Sequence, residues 1–600
     1  MWPPVAVSDA AHAKLMVNSA SPSIPAQRRS LGARVLTYTC WLATATALVA
    51  FVVLFDPTRN QLLIDGLWVL AMGLWVVEVR VQCPEGFLGV SWRWADAWPL
   101  LPLLVAFTAV WLPFYDNWRW AYTGDSLSVF FIGRGVAHNG LPINVLSVHG
   151  ADNNFTYLFS ITYNLLELVF APTLWWHRVT KLVMCWISLV VIYAYFAYML
   201  GRFQSAAIVL ATITNSVWVW FSYIGYGLID SYAFYFMTLL LGTMIWRAPE
   251  RRGPWMLCGL LGGLSLFFTQ TSWSAVIAVG AVLGVYALLT RRFAALAIYA
   301  VSFFIAATPI LLQFHDFVEM AAKQTASIYE WRYMLRTFRT ILTLPYEWSY
   351  VRIGVQGAFL RWPLGPLYLV GTVLGALALI PPLRRLLRLP TVVPVLVGML
   401  LWDALLMTLT NHGYPEPSTK RVYNLIPVYV FFGLLPLFVV ATWTARWKWA
   451  QWGIAGLTFL IIGAYAGANL RIVMYPQPKV YGINVFDGMI ELRQRYPERR
   501  VVLFSTRPNM EKWVLGSESS FEDFYHLSDT VRVVAELSEA QLHAACDTPG
   551  LICFEPHFDP EFPRMVAPWQ RCVKPFPLLN AEEVLCYACD LRECGVAAPQ

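Results

Sequence analysis

Charge is what this chain has least of. Only 13% of its 600 residues are Asp, Glu, Lys or Arg, about half the share in a soluble globular protein. Several signatures are also missing: heptads, a glycine-rich nucleotide loop, a Walker motif, a Ser-His-Asp arrangement and the HExxH helix. Their absence leaves coiled coils, nucleotide-driven motors, triad hydrolases and zinc peptidases without sequence support. Low complexity is confined to residues 1–27, a polar Ala/Ser/Pro-rich stretch without periodicity that reads as a disordered cytoplasmic tail. A cleaved signal peptide is not expected, because the first apolar run starts too late and follows Arg28, Arg29 and Arg34.

Apolar side chains fill the space that charge leaves. They make up 58% of the chain, and the mean hydropathy is +0.54. One protein core cannot absorb that much apolar surface, so lipid must solvate much of it. A spanning helix needs about 20 apolar residues. About thirteen segments qualify, near 34–55, 61–79, 97–114, 177–200, 204–224, 227–246, 254–270, 273–290, 294–313, 364–382, 390–411, 422–443 and 450–470. With the N-terminus in the cytoplasm, alternation puts Arg80, Arg93, Arg202, Arg247, Arg251, Arg252, Arg291, Arg292, Arg384, Arg385, Arg388, Arg446 and Lys448 in inner turns. That is the positive-inside pattern. It also accounts for the net charge of +7 without a nucleic-acid partner. The expected setting is an integral membrane protein of a bacterial cytoplasmic membrane.

This topology places two loops, 115–176 and 314–363, on the outer face, together with the tail 471–600. The tail has a different texture. RRVVLFS (499–505), VRVVAEL (531–537) and GLICFEP (550–556) read as strands, and FDGMIELRQRY (486–496) and SEAQLHAAC (538–546) as helices. The pattern predicts a small extracytoplasmic α/β domain. Six of the ten cysteines lie there. Disulfides suit that compartment; a zinc site at Cys586-x-x-Cys589 is the rival, and spacing alone does not give connectivity.

The outer segments hold the polar groups with chemical potential. TGDS (123–126) sets Asp125 before a helix-like stretch, followed by Arg134, His138, His149 and Asp152. IDSYAFYF (229–236) opens a span with Asp230 at the same predicted depth. Each aspartate reads in two ways: as a helix N-cap, or as one of two carboxylates at one site, a general base with a supporting acid or metal ligand. Lys420 and Arg421 precede a span on the outer side, against the charge trend. They read as snorkelling anchors or as phosphate ligands. WRYMLRTFRTIL puts Arg332, Arg336 and Arg339 on one helical face, either an anionic headgroup site or a solvated face. Asp403 lies inside a span, as a functional group or a hydrogen-bond partner for a neighbouring helix. Glu167 belongs to an interfacial or re-entrant helix.

Taken together, GDS (124–126) with AHNGLP (137–142), TYLFSITYNLLELVFAPTLWWHRVTKLV (156–183), YGLIDSYAFYF (226–236) and KRVYNLIPVYVFFG (420–433) resemble the GT-C superfamily of polytopic glycosyltransferases. The similar branch holds the protein O-mannosyltransferases and the lipid A aminoarabinose transferases. The likeness covers about 97–443; residues 28–96 add two spans before it. The resemblance implies a GT-C-like fold over 97–470 and inverting transfer of a sugar from a polyprenyl-phosphate donor to a glycan, lipid or protein hydroxyl. It implies Asp125 as base, Asp230 as supporting acid, Lys420 or Arg421 on the phosphate, and in some branches a divalent metal such as Mg or Mn between the acids. His149, Asp152, Arg332 and Arg336 are further candidates for substrate contact. Ser126 stands where the family commonly carries an acid, which weakens the metal expectation. The competing classes are a transporter or lipid-handling protein, and a GT-C-like scaffold without catalysis.

Overall fold

The computed structural model describes residues 31–82, 87–88, 94–112, 144–148, 156–162, 165–170, 174–224, 229–268, 272–318, 331–343, 360–409, 423–474, 500–506, 531–576 and 585–595. Helix occupies every one of the thirteen predicted segments. In chain order they are α1 (Leu31–Leu54), α2 (Leu62–Gln82), α3 (Leu100–Trp111), α4 (Leu174–Leu200), α5 (Arg202–Ile213), α6 (Ser216–Ile224), α7 (Ile229–Arg247), α8 (Arg252–Leu264), α9 (Trp273–Leu289) and α10 (Phe293–Leu312). They continue as α11 (Trp331–Thr343), α12 (Leu364–Ala378), α13 (Val392–Leu409), α14 (Ile426–Trp443) and α15 (Lys448–Met474). Among the described residues six helices are by themselves long and apolar enough to cross a bilayer. Apolar runs of this kind fold as helix because only helix satisfies the backbone within the segment when no water is available.

One predicted span differs. The segment 204–224 is two helices, α5 and α6, broken at Thr214-Asn215. Asn215 sustains the break. Its Oδ1 accepts from the backbone N–H of Val217 (2.9 Å) and Trp218 (3.0 Å), its Nδ2 donates to the Tyr465 hydroxyl on α15 (2.6 Å), and Asn469 accepts from Ser216 N–H. The groups freed by the broken ladder are thereby satisfied inside the bundle.

The bundle has two ends. At one, the arginine end, Arg247 donates to the Tyr198 carbonyl (3.3 Å) and Arg252 to the Gln82 side chain. At the other, the loop end, the connections between helices collect. Close packing holds the shaft together. A Cβ at Gly259 or Gly263 of α8 would lie 2.2 Å or 2.5 Å from a backbone oxygen of α10, at Tyr299 and Phe303 respectively. Small residues one turn apart thus let two backbones touch. Pro309 inside α10 removes the helical donor for the Ile305 carbonyl, and Trp68 of α2 donates its indole N–H to that oxygen at 2.9 Å.

The two extra N-terminal helices also fix a loop. Asp65 at the start of α2 is buried and accepts from Asn144 Nδ2 at 2.9 Å, while Ser147 donates to the Pro57 carbonyl. Gln313, just past α10, donates to the Leu146 carbonyl (3.1 Å) and accepts from Val148 N–H (3.0 Å). Thr156 donates to the Phe267 carbonyl (3.1 Å), and Val148 pairs with Thr156 in an antiparallel bridge. Residues 144–148 and Thr156 are therefore tied to α2 and to the chain just past α8 and α10. Asn144→Ala leaves the Asp65 carboxylate buried without this donor. We expect a loss of about 1–3 kcal/mol, read as a lower thermal midpoint of the purified protein. An unchanged midpoint would mean the contact does not hold the loop.

Downstream of the helices, β1 (Arg500–Phe504), β2 (Val531–Val534), β3 (Gly550–Phe554), β4 (Val573–Phe576) and β5 (Leu585–Cys589) form one sheet in the order β2-β1-β3-β5-β4. β1 is parallel to both its neighbours; β5 runs antiparallel to β3 and β4. Between β2 and β3, α16 (Glu539–Cys546) begins with a Ser538 cap that accepts from Gln541 N–H. The three expected strands and this helix are present. The predicted helix at 486–496 lies outside the described residues, and β4 and β5 were not foreseen. Disulfides join Cys546 to Cys589, Cys553 to Cys586 and Cys572 to Cys594. The zinc reading of Cys586-x-x-Cys589 thereby falls, since both thiols are taken up in bonds.

Candidate active site at the loop end

α7 and α14 begin at the loop end, and their first residues meet. α7 starts at Ile229, so Asp230 is its second residue. A 3₁₀ turn, Tyr423–Leu425, leads into α14 and begins two residues after Arg421 in the chain. Ser231 donates its hydroxyl to Asn424 Oδ1, and both side chains are buried. Chain positions 193 residues apart are thus joined. One adjoins the predicted supporting acid, and the other lies three residues beyond the predicted phosphate ligand. The Asp230 side chain is outside the described residues, as are Asp125, His149, Asp152, Lys420 and Arg421.

Below this junction the helices are locked by polar contacts. Tyr235, a little over a turn further along α7, donates to Asp403 Oδ2 of α13 at 2.6 Å, and Asp403 is buried. Asp403 therefore serves as the hydrogen-bond partner of a neighbouring helix, one of the two roles its sequence allowed. Trp402 donates to the Ser274 carbonyl of α9 at 2.9 Å. The loop helix α11 docks by its C-terminal turn. The last carbonyls of a helix lack intrahelical donors, and here Tyr429 donates to the Ile341 carbonyl (2.8 Å) and Tyr368 to that of Leu342 (3.1 Å). Arg332 is in the first turn of α11 and its side chain is outside the described residues. Arg336 and Arg339 are exposed. Their exposed face belongs to the docked loop helix.

Asn424→Ala removes the Asn424 partner of the Ser231 hydroxyl. Loss of that hydrogen bond costs about 0.5–1.5 kcal/mol, and α7 loses this tie to the 423–425 turn. The measurement is a thermal midpoint taken with a transfer assay. Loss of stability without loss of transfer would separate this contact from the site.

Sequence reading missed one residue. Lys181, in the second turn of α4, has no solvent exposure at all and lies within a membrane-spanning stretch, Val179–Leu200. Its one signal was a single cation in the run KLVMCWISLVV, too close to the span's end to stand out. Groups of three or more His, Cys, Asp or Glu suited to a metal are absent among the described residues. The carboxylate pair expected to hold a metal, Asp125 and Asp230, has both side chains outside those residues.

This chain is similar to solved structures, among them two of one protein. Both are of ArnT from Cupriavidus metallidurans. One, bound to undecaprenyl phosphate, is 14% identical with a TM-score of 0.49, covering 84% of this chain and all of its own. The other, in the apo state, is 15% identical with a TM-score of 0.46, covering 85% of this chain and all of its own. No family model matches the sequence, and no curated protein does.

Proposed function

We propose that this membrane protein is an inverting glycosyltransferase, moving a sugar from a polyprenyl-phosphate donor to a hydroxyl acceptor at the outer membrane face. The observation that carries the reading is the Ser231–Asn424 bond. It brings the start of α7, whose second residue is Asp230, to the 3₁₀ turn that Lys420-Arg421 precede in the chain, and this supports reading one carboxylate and two cations into a single site. Single-displacement transfer needs that pairing. A base takes the acceptor's proton as the oxygen attacks the anomeric carbon. Cations stabilise the phosphate that leaves with the lipid. Asp125 takes the base role, Asp230 supports it, and Lys420 or Arg421 holds the phosphate. Arg332 and Arg336, about one helical turn apart on α11, offer a second anion contact, and His149 and Asp152 an acceptor contact.

One observation favours a transporter reading. The α5–α6 break is the kind of interrupted helix from which transporters build ion sites. Here Asn215, Tyr465 and Asn469 take up the broken end, and the break is used to join α15 to α5 and α6. The test is transfer in proteoliposomes given radiolabelled polyprenyl-phosphate sugars and an envelope extract as acceptor. We expect label to move to the extract with release of polyprenyl phosphate. Donor binding with no transfer across a panel of sugars would replace the enzyme by a scaffold.

A further inference from the structure

We propose that two joined turns at the arginine end, around Arg385–Arg388 and Arg446–Lys448, form a binding site for the headgroup of an anionic phospholipid. The site is separate from the loop end and does not depend on the transfer activity. Its first sign is in the backbone. Among the described residues two residues other than glycine have a positive φ, and both are arginines, Arg291 (55°) and Arg388 (51°). Both hold the same place in the same motif. Arg292 N–H donates to the Ala287 carbonyl (2.7 Å) and Arg291 N–H to that of Leu288 (3.2 Å); Leu389 N–H donates to the Arg384 carbonyl (3.0 Å) and Arg388 N–H to that of Arg385 (3.2 Å). These are Schellman closures of a helix, with arginine at the left-handed position that glycine fills most easily. The usual excess of basic residues in such turns would be met by a cation in any ordinary conformation. An arginine held where the backbone prefers glycine points to a use for the guanidinium at that spot.

The second sign is charge without a partner. A short helix, Pro381–Leu386, leads to Arg388. Trp443, the last residue of α14, donates its indole N–H to the Leu387 carbonyl at 3.1 Å, so the turn between α14 and α15 is joined to the turn of Arg388. Together the two turns carry Arg384, Arg385, Arg388, Arg446 and Lys448, while residues 380–402 and 426–470 hold no Asp or Glu. Arg385, Arg388, Arg446 and Lys448 are exposed, and none of them forms an ion pair among the described residues. The counter-charge must come from outside the chain. The apolar surroundings say from what. Leu386, Trp447 and Trp449 are exposed beside these cations, and the two indoles are stacked with centroids 6.4 Å apart. Exposed tryptophan at the end of a span lies at headgroup level. An anion met at that level on an apolar body is a lipid phosphate. The arginine forks suit its oxygens, the leucine and indoles suit its acyl chains, and clustered cations beside a span attract anionic lipid.

The experiment titrates delipidated full-length protein in a nonionic detergent with fluorescent phosphatidylglycerol. The proteins are wild type, Arg388→Gly, Arg388→Lys and the triple variant Arg385→Gln, Arg388→Gln, Arg446→Gln. Phosphatidylcholine and inorganic phosphate are the controls, and a thermal midpoint is taken for each protein. Wild type should bind phosphatidylglycerol about ten-fold or more tightly than phosphatidylcholine. Each cation removed should weaken phosphatidylglycerol binding about five-fold, so the triple variant should fall about a hundred-fold and lose the preference. Arg388→Gly should lose its five-fold at a midpoint equal to or above that of wild type, because glycine suits the turn better. Arg388→Lys should keep most of the affinity, and millimolar inorganic phosphate should not displace the lipid. A wild type without preference for the anionic lipid, or a folded triple variant that keeps the full preference, overturns the inference. Displacement by millimolar inorganic phosphate overturns the lipid as occupant. Full affinity in Arg388→Gly overturns the reading of the left-handed arginine. If the triple variant does not fold, Arg388→Gly against Arg388→Lys decides.

Discussion

Asp125→Asn is expected to lower sugar transfer by about 10²- to 10⁴-fold, the range that a positioned general base supplies. The substitution is chosen because it separates the two readings of this residue. Asn caps a helix about as well as Asp, so a pure N-cap would tolerate the change in both stability and rate. A base would not, because the amide cannot take the acceptor's proton. The check is single-turnover transfer in proteoliposomes, beside the thermal midpoint. We expect a rate collapse at unchanged stability, with polyprenyl-phosphate binding retained. Transfer at the wild-type rate would remove Asp125 from the mechanism. Loss of rate and stability together would make it a structural carboxylate instead of a base.

The second large effect is expected in the C-terminal sheet. The Cys546–Cys589 bond ties α16 to β5 across 43 residues. Closing a loop of that length removes chain entropy worth about 3–4 kcal/mol in the unfolded state. Beside it, Cys553 and Cys586 sit directly opposite in the β3–β5 register, and Cys572–Cys594 ties the turn before β4 to the chain's last described turn. The core these bonds enclose is small, built from such residues as Phe504, Leu542, Phe554, Phe562 and Trp569. Small cores depend on cross-links. The double change Cys546→Ser with Cys589→Ser should therefore lower stability by about 3–4 kcal/mol, read as protease sensitivity of the C-terminal part while the membrane part stays intact. Resistance equal to wild type would mean the bond is not needed to hold that fold.

Much of the bundle was legible in the sequence, and the reasons are physical. A spanning helix must be apolar for its whole length, so α1, α2, α4, α10, α14 and α15 announce themselves by hydropathy alone. Turn chemistry at one end showed through the arginines. The break at Thr214-Asn215 was hidden, because Thr214-Asn215-Ser216 is a short polar interruption of an apolar run, and Tyr465 and Asn469, which bond Asn215 and Ser216, are some 250 residues away. Lys181 was hidden for a related reason. Hydropathy counts it as a tolerated cation near a span's end, and only packing tells a buried ammonium from a snorkelling one. In the tail, β1 and β3 declared themselves as apolar runs. β4 carries Lys574 and Pro575 and β5 carries two cysteines, and neither alternates. Their pairing is set by partners, as is the choice among the disulfide connectivities. At the site, the start of α7 at Asp230 was readable as the edge of an apolar segment. That it meets the 423–425 turn through Ser231 and Asn424 was not, because that contact joins distant parts of the chain.

The most direct test is a structure of the protein with a bound polyprenyl phosphate. The account predicts the phosphate at the loop end, beside the start of α7 and the Lys420–Leu425 stretch, with the Asp125 carboxylate facing the same cavity. A phosphate seated at the arginine end, or at the loop end with Asp125 turned away from it, would contradict the account.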